Sequence, residues 1–277
     1  MTLISIILGL LLDRRWNEFN QWRQFDWFSQ LSKFVLEKTD AHLHNPTARY
    51  LAVLTLPVLT LLIIQDLIAS WSVLAAFLFA LTVFIYCLGS LKIEQQLEQV
   101  ISHLKENENE QARSLILEIS HESSVDDSNM IELTIRSAIH ILIERLFGVI
   151  FWFVLLGPVG AVIYRLSQQL LSAYAQDPLI STTAERMLYL LNWLPERFLA
   201  ISFAITGHFE GALAAFHDNK DTDRTQQHLL IDVCHGSLEG NERDNKAAYL
   251  NSFRGLLLRS LVVWLTSIAL LTLFGWH

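Results

Sequence analysis

Charge is scarce in this chain, and what there is leans acidic. Only 17% of the 277 residues are Asp, Glu, Lys or Arg, against about a quarter in an average soluble domain. The formal net charge of −8 argues against the basic surface that nucleic acid requires, so no nucleic-acid partner is expected. Cysteine is almost absent. Cys87 and Cys234 make neither a disulfide framework nor a zinc spacing, and each reads as a buried or reduced thiol. There is no HExxH and no phosphate-binding glycine loop, so no metal and no cofactor is expected. Prolines number five, and no stretch keeps a period-two alternation for long, which points to helices throughout.

Uncharged apolar sequence is what the chain has in quantity: 52% of residues are hydrophobic and the mean hydropathy is +0.34. Residues 50–91 carry one charge, Asp66, and read as two spans joined by a tight turn near Gln65–Ser72. Residues 146–163 and 260–276 carry none. A spanning helix needs about 20 apolar residues, so about four spans are expected. Trp71, Trp264 and Trp276 fall near span ends, where interfacial aromatics are favoured. The opening MTLISIILGLLL is short for a span and lacks the flanks of a signal peptide. It reads as a retained half-span or a helix packed against the bundle. The expected fold is therefore all-α: a polytopic membrane protein with about four spanning helices, broken, re-entrant or interfacial helices, and cytoplasmic helical segments. It is expected to form a single integral membrane domain over 1–277, with the lipid bilayer as a partner.

Lys and Arg in short loops set orientation. Residues 13–50 carry Arg14, Arg15, Arg23, Lys33, Lys38 and Arg49, while the turn at 65–72 carries neither type. That places 13–50 in the cytoplasm, and the hairpin returns the insertion at about 92–145 to the same side. Within it Leu97, Val100, Ile101 and Leu104 follow a helical period, KENENEQ (105–111) interrupts it, and Leu115, Ile116 and Ile119 resume it. SSVDDSN (123–129) offers cap-forming residues before the next run. Residues 92–132 hold ten acids against Lys92, Lys105 and Arg113. That is a solvated helical face or a docking surface for a basic cytosolic partner. A second polar helical segment is expected at about 208–253.

Polar groups recur beside the apolar runs. Glu132, Arg136, His140 and Glu144 are spaced by four and share one helix face. His140 and Glu144 are two ligands at most, too few for a metal. GPVG (157–160) interrupts the third apolar run: Pro158 removes a helix hydrogen bond, and Gly157 and Gly160 relax the backbone. Tyr164 and Arg165 follow. LNWLPERF (191–198) repeats the pattern, with Asn192, Pro195 and Arg197 between apolar runs. Broken helices in a bilayer are tolerated where protein or a water-filled cavity satisfies the freed groups, and ionisable groups there mark function by default. These residues read as a polar cavity or as ion pairs at the interface, with Glu196 a local partner or surface charge.

IERLFGVIFWFVLLGPVGAVIYR (143–165) together with LNWLPERF (191–198) resembles the CobD/CbiB/AmpE family of integral membrane proteins. The short first apolar run ending in Asp13, the hairpin and the C-terminal span match its layout, and AISFAITGHFEGAL (200–213) is similar to the AmpE branch in particular. The cobalamin branch joins a corrinoid carboxylate to an aminopropanol phosphate. Of its motif this chain keeps Glu144, Gly157, Gly160, Tyr164, Arg165, Asn192, Trp193, Pro195 and Arg197. Arg145 stands where that branch has Asn, Gln168–Leu171 replace Asn-Thr-Leu-Asp, and Leu188 and Tyr189 replace an Asp pair. Nucleotide-driven amide synthesis needs magnesium, and magnesium wants carboxylates. The resemblance thus implies a cavity of Glu144, Tyr164, Arg165, Asn192 and Arg197 that has lost the chemistry. The AmpE branch implies an inner-membrane regulator of β-lactamase induction, linked to the cytosolic muropeptide amidase AmpD. The alternative it implies is an amide-forming membrane enzyme related to adenosylcobinamide-phosphate synthase. For Glu144, Tyr164, Arg165 and Arg197 to converge, the run at 146–163 must fold back at Gly157–Gly160 or penetrate only partly.

Overall fold

In the computed structural model, residues 2–15, 25–39, 45–89, 92–120, 122, 124–218, 226–238 and 245–274 are described. Arg23, Ser123 and Trp276 lie outside them. The described residues form helices and no strands. Three helical stretches are long and apolar enough to cross a membrane: Pro46–Trp71, Met130–Ala173 and Lys246–Leu273. A fourth is reached when Val73–Cys87 is counted with the helix that follows it. The protein is therefore an all-α, multi-pass membrane protein. Its spans face lipid in the expected way. Leu56, Leu59, Ile63 and Leu67 of the first span are about half exposed, a belt that water would not tolerate and acyl chains satisfy.

The helices group into two units: Met1–Ser90 with Glu144–Asn192 and Gly275–His277, and Leu91–Ile143 with Trp193–Phe274. The first unit holds α1 (Thr2–Arg15), α2 (Asp26–Thr39), α3 (Pro46–Trp71), α4 (Val73–Cys87), α8 (Gly148–Ala173) and the start of α9 (Pro178–Thr206). Asn45 caps α3, its Oδ1 accepting from the Thr47 amide at 2.9 Å, with Pro46 in the first turn where its missing N–H costs nothing. The hairpin turns on Ser72 alone, in extended conformation at φ −162°. α1 packs on α4 and α8, with Ile6 fully buried. Phe25, Phe28 and Leu36 close a core with Tyr50, Val53, Leu166 and Leu170.

The second unit holds α5 (Lys92–Lys105), α6 (Asn109–Ser120), α7 (Met130–Leu142), the rest of α9, α10 (Phe209–Asp218), α11 (Gln226–Ser237) and α12 (Lys246–Leu273). Ile93, Leu97, Val100, Ile101 and Leu104 form the buried stripe of α5. The chain turns at Asn107, whose φ of 61° suits Asn. In the SSVDDSN loop the Asn129 side chain accepts from the Asp126 amide at 2.8 Å and so stabilises the loop; it does not cap α7. Asp127 meets Arg113 at 2.7 Å and Lys246 at 3.0 Å, which ties that loop to α6 and α12. These two cations, Arg113 first, hold the Asp127 carboxyl below the usual carboxylate range.

Two irregularities shape the stretch from α7 to α8. Ile143–Phe147 is a π-helical turn. Further on, Gly157 adopts φ 67°, ψ −154° and kinks α8 ahead of Pro158. Only glycine occupies that backbone region comfortably. Gly157→Ala should therefore cost roughly 1–3 kcal/mol, although open space surrounds a Cβ there. The check is the thermal midpoint of the detergent-purified protein, and an unchanged midpoint would mean that the kink is not imposed by its surroundings.

Candidate functional site

The kink at Gly157 leaves the second half of α8 carrying Tyr164, Arg165, Ser167 and Gln168 on consecutive turns. Tyr164 is completely buried. Its hydroxyl donates to Asn192 Oδ1 of α9 at 2.7 Å. The phenol has room because residue 148 is glycine: a Cβ there would overlap the ring and its oxygen. Arg165 Nη1 donates to Gln168 Oε1 at 2.8 Å, and Gln168 Nε2 donates to the Glu144 carbonyl at 2.8 Å. The Arg165 guanidinium also lies 5.5 Å from the centroid of the Phe25 ring. Gln168, only 9% exposed, links a cation on one side to the main chain on the other. The side-chain amide does so by accepting at its oxygen and donating from its nitrogen.

Four of the five cavity residues read from the sequence thus belong to this first unit. Tyr164 and Asn192 are bonded directly, and Arg165 reaches the main chain of Glu144 through Gln168. Arg197 belongs to the second unit, where its guanidinium stacks 4.4 Å from the Trp193 ring centroid. Gly157 carries the backbone break, Pro158 follows it, and Gly160 is helical. α9 runs on through Pro195 from Pro178 to Thr206. A proline at 195 leaves the Leu191 carbonyl without its helical donor, and the Trp152 indole supplies one, Nε1 donating to Leu191 O at 3.1 Å.

Two residues escape the sequence reading. One is Gln168; its spacing of three from Arg165 is the signal that marks it. The other is Glu196, which is 7% exposed and no surface charge. It keeps helical register with buried Leu199, Ala200 and Phe203, a periodicity visible in the sequence.

Of the positions that lack carboxylates, those of Leu171 and Leu188 are filled by packed side chains. Leu170 is fully buried and Leu171 packs on the Phe25–Tyr50 core. Leu188 is 6% exposed, and Tyr189 is half exposed. Among the described residues no three His, Cys, Asp or Glu side chains are grouped so as to hold a metal ion. The Tyr164–Asn192 and Arg165–Gln168–Glu144 contacts can orient a polar or anionic group, and the chain's own residues offer it a phenol, amides and a guanidinium.

Fold and site together define a multi-pass helical membrane protein with a hydrogen-bonded polar cluster inside one helix bundle. The chain belongs to the AmpE family: the family model described as "Regulatory signalling modulator protein AmpE" matches residues 1–276. It is also similar to a protein named "Cobalamin biosynthesis protein CobD" from Chromobacterium violaceum, 27% identical over 214 residues, which covers 73% of this chain and 68% of that protein. A second protein of that name, from Stutzerimonas stutzeri, is 30% identical over 95 residues, 33% of this chain and 31% of its own length. No solved structure matches.

Proposed function

We propose that this protein is a regulatory component of the bacterial inner membrane, acting in the muropeptide response that controls β-lactamase induction. The observation that carries this reading is the match of a regulatory signalling family along essentially the whole chain. The packing of Leu171 and Leu188 at positions where the cobalamin branch has carboxylates supports it. The partner is a cytosolic amidase of the AmpD kind, or another signalling protein, met on the acidic insertion at 92–145. Some of that acidity is matched within the chain, since Arg254 lies 3.7 Å from Glu94 and 3.5 Å from Glu98. Glu106 and Glu118 remain for a basic partner. The experiment is induction of β-lactamase in cells carrying Arg197→Ala. Altered induction with normal membrane insertion is the expected result, and normal induction would take Arg197 out of the response.

The orientation is testable separately. A cysteine at Glu106, beside the turn at Asn107, should resist an impermeant thiol reagent in intact cells and react after lysis. The native thiols add little background, because Cys87 and Cys234 are 1% and 0% exposed and burial pushes the Cys234 thiol up. Labelling without lysis would reverse the assignment of 92–145 to the cytoplasm.

The similarity to proteins named for cobalamin biosynthesis favours a second reading, an amide-forming membrane enzyme. Metal-dependent nucleotide turnover with corrinoid amide formation by the purified protein would replace the regulatory reading.

A further inference from the structure

Glu196 presents a problem of its own. It is 7% exposed, and its Oε2 is buried with no hydrogen-bond partner. Native structures rarely leave such an atom unmatched, and an uncompensated buried carboxylate is strongly destabilising. Burial, offset only in part by the neighbouring Arg197, pushes this carboxyl up to about 7. α9 is not among the helices that meet the length and hydropathy limits for a span.

The carboxyl lines a cavity of about 240 Å³ in the second unit. Ile139 and Ile143, at the end of α7, and Leu230 and Ile231 of α11 line its walls. Its charged lining residues other than Glu196 are exposed: Arg136 and His140 on α7, and Glu122 in the loop before it. The site thus has a buried acidic residue, walls in which aliphatic side chains alternate with Ser120 and Ser137, and a rim that carries Arg136 beside Glu122 and His140. Its volume falls below the ~300–1,000 Å³ typical of drug-sized ligands and exceeds the ~30 Å³ share of one water several-fold.

Each part constrains the occupant. The buried acidic residue calls for a hydrogen-bond-donating cation. The aliphatic side chains of the wall, Ile139, Ile143, Leu230 and Ile231, favour an alkyl stem over a hydrated metal ion. Arg136 at the rim repels a simple amine and welcomes one whose far end is anionic. We propose that this cavity binds a small amino acid in which an ammonium and a carboxylate are held apart by a short apolar stem, the ammonium on Glu196 and the carboxylate at Arg136. The site is distinct from the Tyr164–Asn192 cluster and stands whether or not the protein signals.

The test uses the full chain in nanodiscs, with 5-aminovalerate, n-pentylamine and valerate as probes, read by calorimetric titration and by the shift in thermal midpoint. Saturable binding of 5-aminovalerate is expected, at least tenfold tighter than pentylamine, with none for valerate. Glu196→Gln should weaken both amines at least tenfold. Arg136→Gln should remove the preference for 5-aminovalerate and keep pentylamine binding. Arg136 is exposed, so this variant folds normally and carries the test even where Glu196→Gln does not. No saturable binding by the wild type overturns the proposal, as does equal affinity for the two amines. An unchanged affinity in Glu196→Gln overturns it too, and so does an unchanged preference in Arg136→Gln.

Discussion

Gly148→Ala is expected to lower the stability of the protein by about 2–4 kcal/mol, the combined scale of overpacking a close-packed site and losing a buried hydrogen bond. The added methyl overlaps the Tyr164 ring, and Tyr164 is fully buried with its hydroxyl on Asn192. The ring has nowhere to retreat without leaving that acceptor. The thermal midpoint of the detergent-purified protein should fall by several degrees. Tyr164→Leu in the same background vacates the ring, so the two substitutions together should cost less than the sum of the single effects, a coupling that only neighbouring groups display. Strict additivity would show that Gly148 and Tyr164 do not touch in the folded protein.

Trp152→Phe is expected to cost about 1–3 kcal/mol, the scale of an unsatisfied buried acceptor. The indole donates to the Leu191 carbonyl, which Pro195 deprives of its own helical donor. Pro195→Ala returns an N–H to that carbonyl, so Trp152→Phe should cost markedly less in that background. An equal cost in both would show that the indole matters for its bulk and not for its proton.

The spans and the backbone break were legible because each follows from local chemistry. Apolar length sets a span, and Gly157 before Pro158 marks a kink wherever it occurs. The buried stripe of α5 was legible for the same reason: Leu97, Val100, Ile101 and Leu104 repeat on a helical period and all are buried. What depends on a second element was not legible. Pro195 carries the same signal as Pro158, yet α9 continues through it, because the compensating donor comes from α8, 39 residues away. Glu196 read as a local partner or a surface charge because Arg197 is adjacent in sequence. Its burial follows from the packing of Leu199, Ala200 and Phe203 one and two turns on. The π turn at Ile143–Phe147 has no residue signature.

The bond from Trp152 to Leu191 also bears on how the chain is made. The ribosome releases α8 before α9, so the indole is in place when the proline-freed carbonyl emerges. In the reverse order α9 would wait with an unmatched carbonyl until its donor had been made. A fragment that begins after Ala173 carries the proline and lacks the tryptophan. Such a nascent segment would be a natural target for quality-control proteolysis, whereas a fragment that keeps Trp152 has its donor from the start.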